Sequence, residues 1–271
     1  MTNRIIHQDY HIHTNFSCDC KASMMEMCRA ALERGIPQIG FTDHFDLFPH
    51  DPCYSFFQAD KWWEELNRCR DAFQGSLTIR AGIELGEPHI FPRETEDLLD
   101  TFPWDYTLGS LHWVDGFIVF DDAYFERMGD DAYSCYFREL EVLAEEGNFD
   151  ILAHFDIVKR RGTEILGAYD AHRHEAEIRN VLRICADRNL AIEINTSTLR
   201  CSVGETSPSP EILSWFLEEG GRWVTFGSDS HYPEHVGFGI ADALASSQML
   251  GLHQQAHFRL RKPSTSPDYG T

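Results

Sequence analysis

An α/β fold built on a parallel sheet or barrel is the class this sequence predicts, and three features of it point there. Short apolar runs alternate with amphipathic helical stretches along almost the whole chain. Glycines stand just past the ends of those helical stretches, where a C-cap needs them. At 271 residues and 42% apolar content, the chain can fill one large core.

Taken in order, residues 8–12 read as the first strand, and 21–34 as a helix stopping at Gly35. A strand over 38–42 follows, then a helix over 60–73 that ends near Gly75. Residues 77–85 and 106–111 are the third and fourth strands. The stretch 131–146 is helical up to Gly147, and 150–153 is the fifth strand. A helix over 171–188 precedes the sixth strand, 191–195. Another over 210–219 runs to the Gly220-Gly221 pair, and 223–227 is the seventh strand. Residues 241–250 form a last helix ending at Gly251, and 256–261 fit a terminal strand. No repeat or low-complexity block interrupts this pattern. Residues 1–262 are expected to be one domain and 263–271 a flexible tail.

Composition narrows the function. The net charge is −21, so the surface repels the phosphate backbone of nucleic acid, and no nucleic-acid partner is expected. No apolar run reaches the ~18 residues of a membrane span. The polar stretch 1–10 lacks the apolar core of a signal peptide, so the cytoplasm is the expected location. The eight cysteines are expected to be reduced and mostly buried. Cys18 and Cys20 flank a candidate metal ligand, but nothing nearby completes a zinc-ribbon pattern.

Residue types that bind metals gather where the expected strands end. His11 and His13 close the first, with Asp19 in the loop after it. Asp43 and His44 end the second, Glu84 the third, His112 the fourth and His154 the fifth. Glu193 and Asn195 end the sixth, and Asp229 and His231 the seventh. In a β/α barrel those ends share one face, where active sites are built, so residues from distant parts of the chain converge. Two imidazoles at i and i+2 of a strand lie on one side and can reach one ion. A lone strand-end histidine is more often a satisfied polar residue. The recurrence at matching strand ends is what points to a metal centre. His7, His50, His89, His172, His174, His235, His253 and His257 fall in loops, helices or the tail and read as ordinary polar residues. Trp62, Trp63, Trp113 and Trp223 read as packing rather than a substrate cage.

The segments Asp9-Tyr10-His11-Ile12-His13-Thr14, Phe41-Thr42-Asp43-His44, Gly82-Ile83-Glu84, Gly109-Ser110-Leu111-His112, Ala153-His154 and Gly227-Ser228-Asp229-Ser230-His231 resemble, in order and spacing, the motifs of the polymerase and histidinol phosphatase (PHP) superfamily. Residues 109–116, 153–160 and 193–200 are similar to its monofunctional histidinol-phosphatase branch. The resemblance implies a distorted, TIM-like (β/α)7 barrel with a trinuclear metal site at the C-terminal ends of the strands. It implies that His11, His13, Glu84 and Asp229 hold a first metal, and that Glu84 bridges to a second completed by His112 and His154. Asp19, His44 and His231 would hold a third. Glu84, Asp229 and His231 are the implied catalytic residues. Asp19 stands where other branches place histidine, and a carboxylate there favours manganese or iron over zinc, which leaves the identity among the three open. The implied activity is hydrolysis of L-histidinol phosphate to L-histidinol and phosphate, a step of histidine biosynthesis, by in-line attack of a metal-bridging hydroxide.

Such a centre suits the chemistry. Phosphomonoester hydrolysis needs ~20 kcal/mol or more of barrier reduction, and metal-bound water ionises near pH ~7. Three divalent cations outweigh Asp19, Glu84 and Asp229, so an acidic protein keeps a locally positive pocket for a phosphate dianion. Arg160 and Arg200, after the fifth and sixth strands, suit two-pronged phosphate binding. Lys159 and Arg161 compete for the first role, and solvated surface arginines are the plain alternative. Asp43 and Asp156 are candidates to orient ligand histidines. Asp115, Asp156 and the aromatics of 46–57 are candidates to meet the imidazole or amine. Three other readings stay open: a phosphoesterase of the same superfamily acting on nucleotides or another small ester, a non-catalytic metal-binding regulatory barrel, and an amidohydrolase-like deacylase.

Overall fold

The structure is a computed structural model and describes residues 8–253 and 255–266. The expectations for residues 1–7, His7 among them, and for 267–271 fall outside the described residues. The chain begins with β1 (Asp9–Ile12), α1 (Met24–Glu33), β2 (Gln38–Phe41), β3 (His44–Phe45), α2 (Ala59–Ala72), β4 (Thr78–Ala81) and β5 (Glu84–Gly86). It continues through α3 (Pro92–Thr101), β6 (Leu108–Ser110), β7 (Trp113–Val114), β8 (Phe117–Ile118), α4 (Asp122–Met128), α5 (Ala132–Glu146) and β9 (Ile151–Leu152). The last part holds α6 (Lys159–Leu166), α7 (Glu175–Asp187), β10 (Ala191–Asn195), α8 (Pro210–Glu218), β11 (Val224–Gly227), α9 (Ile240–Met249), β12 (His257–Arg259) and β13 (Lys262–Ser264).

Local signals start and stop these elements. Ser23 caps α1 in a reciprocal capping box with Glu26, which satisfies two N–H groups of the first turn. Ser209 accepts from Ile212 N–H ahead of Pro210, which opens α8 with the φ a first turn needs. The strands β1, β2, β10 and β11 are buried along their whole length, as parallel strands covered on both faces must be.

All pairings of the main sheet are parallel. β1 pairs with β2 and β2 with β4; β3 pairs with β5, β5 with β6, β6 with β9, β9 with β10 and β10 with β11. A parallel bridge between Ile12 and Ser230, with His13 N–H donating to the Ser230 carbonyl at 2.9 Å, links the end of β1 to the segment after β11. The α/β class with a parallel sheet is as expected. The circuit is irregular: the ladder splits into a three-stranded and a six-stranded piece. The expected second strand continues past a break into β3, and the expected third divides into β4 and β5.

The main apolar core lies between sheet and helices. A smaller cluster gathers the early parts of the strands, with Tyr106, Leu108, Ile151 and Ala191 packed under Phe258 of the terminal hairpin. Tyr106 stacks on Tyr10 at 4.6 Å and donates its hydroxyl to the Tyr10 carbonyl. Apolar residues thus fill one end of the strands and leave the other to polar ones.

Two expectations need correction, and α3, α4, α6 and the β7–β8 hairpin lie outside the predicted pattern. Pro263 and Ser264 are not in a loose tail: they pair with Phe258 and His257 in a hairpin. The apolar pattern does not predict α3, because its PRETEDLLDT sequence is mostly polar and buries only Thr95 and Leu98. Nor does it predict α6, which buries Lys159 and Gly162 rather than an apolar face. Finally, Cys18 and Cys53 are joined in a disulfide across 35 positions, a contact that only the meeting of two loops creates. The other six cysteines are free, four of them buried.

Candidate metal centre

The nine residues singled out at strand ends are brought together. His11 lies in β1, His13 just after it, and Asp19 in the turn before α1. His44 begins β3, Glu84 begins β5, His112 follows β6, and His154 follows β9. Asp229 and His231 follow β11.

Glu84 sits at the middle and its two oxygens face different ways. Oε2 is 3.3 Å from His11 Nε2 and 3.4 Å from His13 Nε2. Oε1 is 3.0 Å from His154 Nε2 and 3.4 Å from His112 Nε2. Asp229 Oδ1 completes the first group at 3.5 Å from His13 Nε2 and 3.9 Å from His11 Nε2. A tetrahedral ion with ligands at ~2.0–2.1 Å requires donor atoms about 3.3 Å apart, and these separations cluster there. The third group is more exposed but similarly spaced: Asp19 Oδ2 is 3.0 Å from His231 Nε2 and 3.7 Å from His44 Nε2.

Hydrogen bonds fix the tautomers of the two central imidazoles. His11 Nδ1 meets Glu193 Oε1 at 2.7 Å, so Nδ1 carries the proton. His13 Nδ1 meets Ser17 Oγ at 3.1 Å, and that hydroxyl donates to Asp43 Oδ1, so His13 Nδ1 is again the donor. The two Nε2 lone pairs then face each other at 3.1 Å in a fully buried site. That arrangement is repulsive unless a positive charge, a metal ion or in its absence a proton, sits between them. Glu84 Oε2 is buried with three imidazole nitrogens around it, His44 Nδ1 at 3.1 Å the nearest, and none aligned as a hydrogen-bond donor, whereas its partner oxygen receives Ser110 Oγ at 2.7 Å. The residues present therefore fit a bound metal.

The carboxylates draw positive charge to the same place. Burial opposes charge on His11, but Glu193, Glu84 and Asp229 override it and raise its pKa well above the imidazole range. Burial and the neighbours His231 and His44 push His13 down to about 3, which keeps it neutral. Burial would raise the Glu84 carboxyl, yet His11 and His44 hold it well below the ordinary range. Burial likewise opposes ionisation of Asp19, but hydrogen bonds from His231 and His44 keep it low. His154 and Asp229 carry positive φ angles of 22° and 51°, a backbone cost placed at two candidate ligands.

Glu193 went unassigned in the sequence beyond its place at a strand end. Its Oε2 also accepts from His154 N–H at 2.8 Å and Asn195 Nδ2 at 3.1 Å. A Cβ on Gly227 would collide with its carboxylate, so glycine there keeps the place open. The signal was a lone glutamate inside the apolar run of β10. Asp46, 4% exposed, faces His44 Nδ1 at 3.3 Å and His112 Nδ1 at 3.5 Å, joining ligands of two groups.

The other candidates divide. Asp43 reaches His13 only through Ser17, and also accepts from Thr14 N–H and Trp62 Nε1. Asp156 orients no histidine; it pairs with Lys159 and accepts from Ser207 Oγ at 2.6 Å. Lys159 is fully buried with its ammonium on Asp156, Glu205 and the Thr206 carbonyl, so it is withdrawn from phosphate binding. Arg161 pairs with Asp122 and Glu164. Arg160 leans on the Phe120 ring at 5.8 Å and lines a cavity of about 890 Å³. Phe120 in turn lies 5.9 Å from the His112 ring, although none of the nine residues lines that cavity. Arg200 donates to the carbonyls of Ser228 at 2.8 Å and Asp229 at 3.0 Å, bracing the turn that carries Asp229. Trp62 and Trp63 pack with Trp104, while Trp113 stacks on Phe48 at 5.0 Å. Asp115 sits at a tight turn with φ 51° between β7 and β8. Among the ordinary histidines, His89 pairs with Glu139 and His172 with Glu211. Another cavity, of about 670 Å³, lies beside Pro37, Thr78 and Arg70 at the opposite end of the strands and holds none of the nine residues.

Comparison with known proteins gives a consistent picture. The PHP domain model matches residues 9–197. A histidinol-phosphatase of Lactococcus lactis subsp. lactis is 27% identical over 92% of this chain and 93% of that protein. A protein of Deinococcus radiodurans named "Probable histidinol-phosphatase" is 30% identical over 94% of this chain and 97% of its own length. The crystal structure of the Lactococcus lactis histidinol phosphate phosphatase, complexed with zinc, L-histidinol and phosphate, superposes with a TM-score of 0.88 at 25% identity, covering 96% of this chain and 99% of that one. Among the described residues, no helix is long and apolar enough to cross a membrane.

Proposed function

The chain belongs to the PHP domain family, and from that membership and the geometry of its centre we propose that it is a metal-dependent phosphatase hydrolysing L-histidinol phosphate to L-histidinol and phosphate. The observation that carries this reading is the division of Glu84 between two imidazole pairs, His11 with His13 and His112 with His154. The histidinol phosphate phosphatase of Lactococcus lactis, crystallised with zinc, histidinol and phosphate, supplies the substrate class.

Three divalent ions, zinc, manganese or iron, are assigned to three groups of residues: His11, His13, Glu84 and Asp229; Glu84, His112 and His154; and Asp19, His44 and His231. Bound there, such ions lower the pKa of water and neutralise phosphate charge. The chain's own residues do the rest. Glu193 and Ser17 hold protons on the Nδ1 atoms of His11 and His13, so that both Nε2 atoms face inward as lone pairs. His11, His13 and Glu84 are buried, whereas the side chains of His231 and Asp19 are 22% and 49% exposed, so the phosphate approaches from their side. Arg160, which leans on Phe120 beside His112, is the arginine we assign to the phosphate oxygens, in two-pronged fashion. Arg200 acts first by bracing the Asp229 turn.

The test is phosphate release from L-histidinol phosphate against a panel of sugar, nucleotide and amino-alcohol phosphates, with manganese or zinc and with a chelated control. A kcat/KM for L-histidinol phosphate at least tenfold above the others supports the assignment. Metal-dependent release from the other esters alone would discard the substrate and keep the chemistry.

A further inference from the structure

One covalent feature beside the centre has no part in the reaction described above. Cys18 and Cys53 are joined with their Cα atoms 5.2 Å apart, and Cys18 immediately precedes Asp19. Asp19 is the most exposed of the nine candidate ligands at 49%. Its turn is held by Ser17 N–H on the Thr14 carbonyl, by Cys20 N–H on the Ser17 carbonyl, and by Cys20 Sγ on the His231 carbonyl at 3.1 Å. Cys53 lies in the loop between β3 and α2. Its N–H donates to Asp51 Oδ1 at 2.7 Å, and Asp51 Oδ2 accepts from Trp113 Nε1 at 2.8 Å. Trp113 is the residue after His112. The disulfide therefore ties the Asp19 turn to a loop anchored beside another candidate ligand.

We propose that the Cys18–Cys53 pair is a reducible clamp that fixes Asp19 at the third metal position, with a dithiol as its reaction partner. This rests on the reading of Asp19, His44 and His231 as a metal position. Cys53 is 6% exposed and Cys18 is half-buried, so the incoming thiolate attacks the Cys18 sulfur. That attack forms a mixed disulfide at Cys18, breaks the S–S bond and releases Cys53 as a thiolate, which takes up a proton. The second thiolate of the reagent then displaces Cys18, which is likewise protonated. Two electrons pass to the protein and the reagent leaves as its cyclic disulfide. The turn keeps its backbone hydrogen bonds but loses its link to the facing loop. Loss of support around a ligand typically weakens metal binding by about 10–100-fold.

The experiment uses full-length protein purified without reductant and loaded with manganese, a hard cation that freed thiols retain poorly. Peptide mapping by mass spectrometry reads the cross-link, elemental analysis reads ions per chain, and competition with a chelator reads the weakest site. The same readings follow treatment with a small dithiol, then removed, and are repeated on the Cys18→Ser/Cys53→Ser protein. The expected result is a Cys18–Cys53 cross-link, three ions on the oxidised protein, and a weakest site loosened about 10–100-fold in both the reduced and the serine forms. Free thiols at both positions in the oxidised preparation, or one unchanged weakest affinity in all three forms, would overturn the clamp. Fewer than three ions on the cross-linked wild type would instead remove the third metal position, and the clamp with it.

Discussion

Glu193 is 1% exposed and stands among apolar neighbours, yet its oxygens serve His11 Nδ1, His154 N–H and Asn195 Nδ2. It sets the tautomer of one candidate ligand and the backbone position of another. Glu193→Gln keeps the size but offers an amide that can hold the wrong tautomer of His11. The expected outcome is a 10–100-fold loss of metal affinity with a parallel fall in kcat, read by chelator competition and initial rates; an unchanged metal affinity would remove Glu193 from this role. Glu84→Gln goes further, because one residue serves two groups: turnover is expected to be nearly abolished while far-UV circular dichroism is retained. At this scale the candidate ligands were legible because histidine and carboxylate recur at strand ends. Glu193 and Asp46 were not assigned, because which carboxylate stands behind which imidazole depends on distances between strands far apart in sequence. Arg200 was legible as an arginine near the site, but its hold on the Asp229 carbonyl depends on a turn that only the fold makes.

Among the elements, α6 separates two neighbours that the sequence could not. Its first residue, Lys159, turns inward to Asp156 and Glu205, while Arg160 faces the cavity. Lys159→Met leaves Asp156 buried without its cation, and breaking such a pair costs about 3–5 kcal/mol. A clearly lowered Tm with little change in KM is expected, whereas Arg160→Ala should raise KM at least tenfold at an unchanged Tm. The reverse pattern would exchange their roles. The turn after β5 gives a pH test. Burial pushes Glu87 up to about 8, although its carboxylate accepts from His112 and Trp113 N–H. A carboxyl whose folded pKa exceeds its unfolded value keeps its proton on folding while the unfolded chain releases it. The Glu87 contribution to stability is then full below pH ~4.5 and falls by about 1.4 kcal/mol per pH unit as pH rises to about 8. Glu87→Gln retains the acceptor and removes the loss. In chelator-stripped protein, its Tm advantage over the wild type should widen as pH rises through that window; a constant difference would contradict the assignment. The long helices and most strands were legible because their patterns run for several turns or are bounded by glycine. The helices α3 and α6 were not, since what they bury is polar or small.

For the whole molecule, the central fact is a net charge of −21 around a site that gathers Asp19, Glu84 and Asp229. Only cations make that concentration of carboxylates and inward lone pairs favourable. An ion held at a concentration 100-fold above its Kd stabilises the folded chain by about 2.7 kcal/mol, so chelation should lower the Tm by several degrees and manganese should restore it. The fold class was legible from the alternation of strands and helices. The ladder breaks around β3 and β5, the terminal hairpin and the Cys18–Cys53 bond were not, because each arises where distant segments meet. The most direct test of the account is reconstitution of chelator-stripped protein with manganese, following bound ions and phosphate release from L-histidinol phosphate together. The account predicts no turnover without metal and a rise to full rate as the sites fill. Undiminished turnover by protein shown to hold no metal would contradict it.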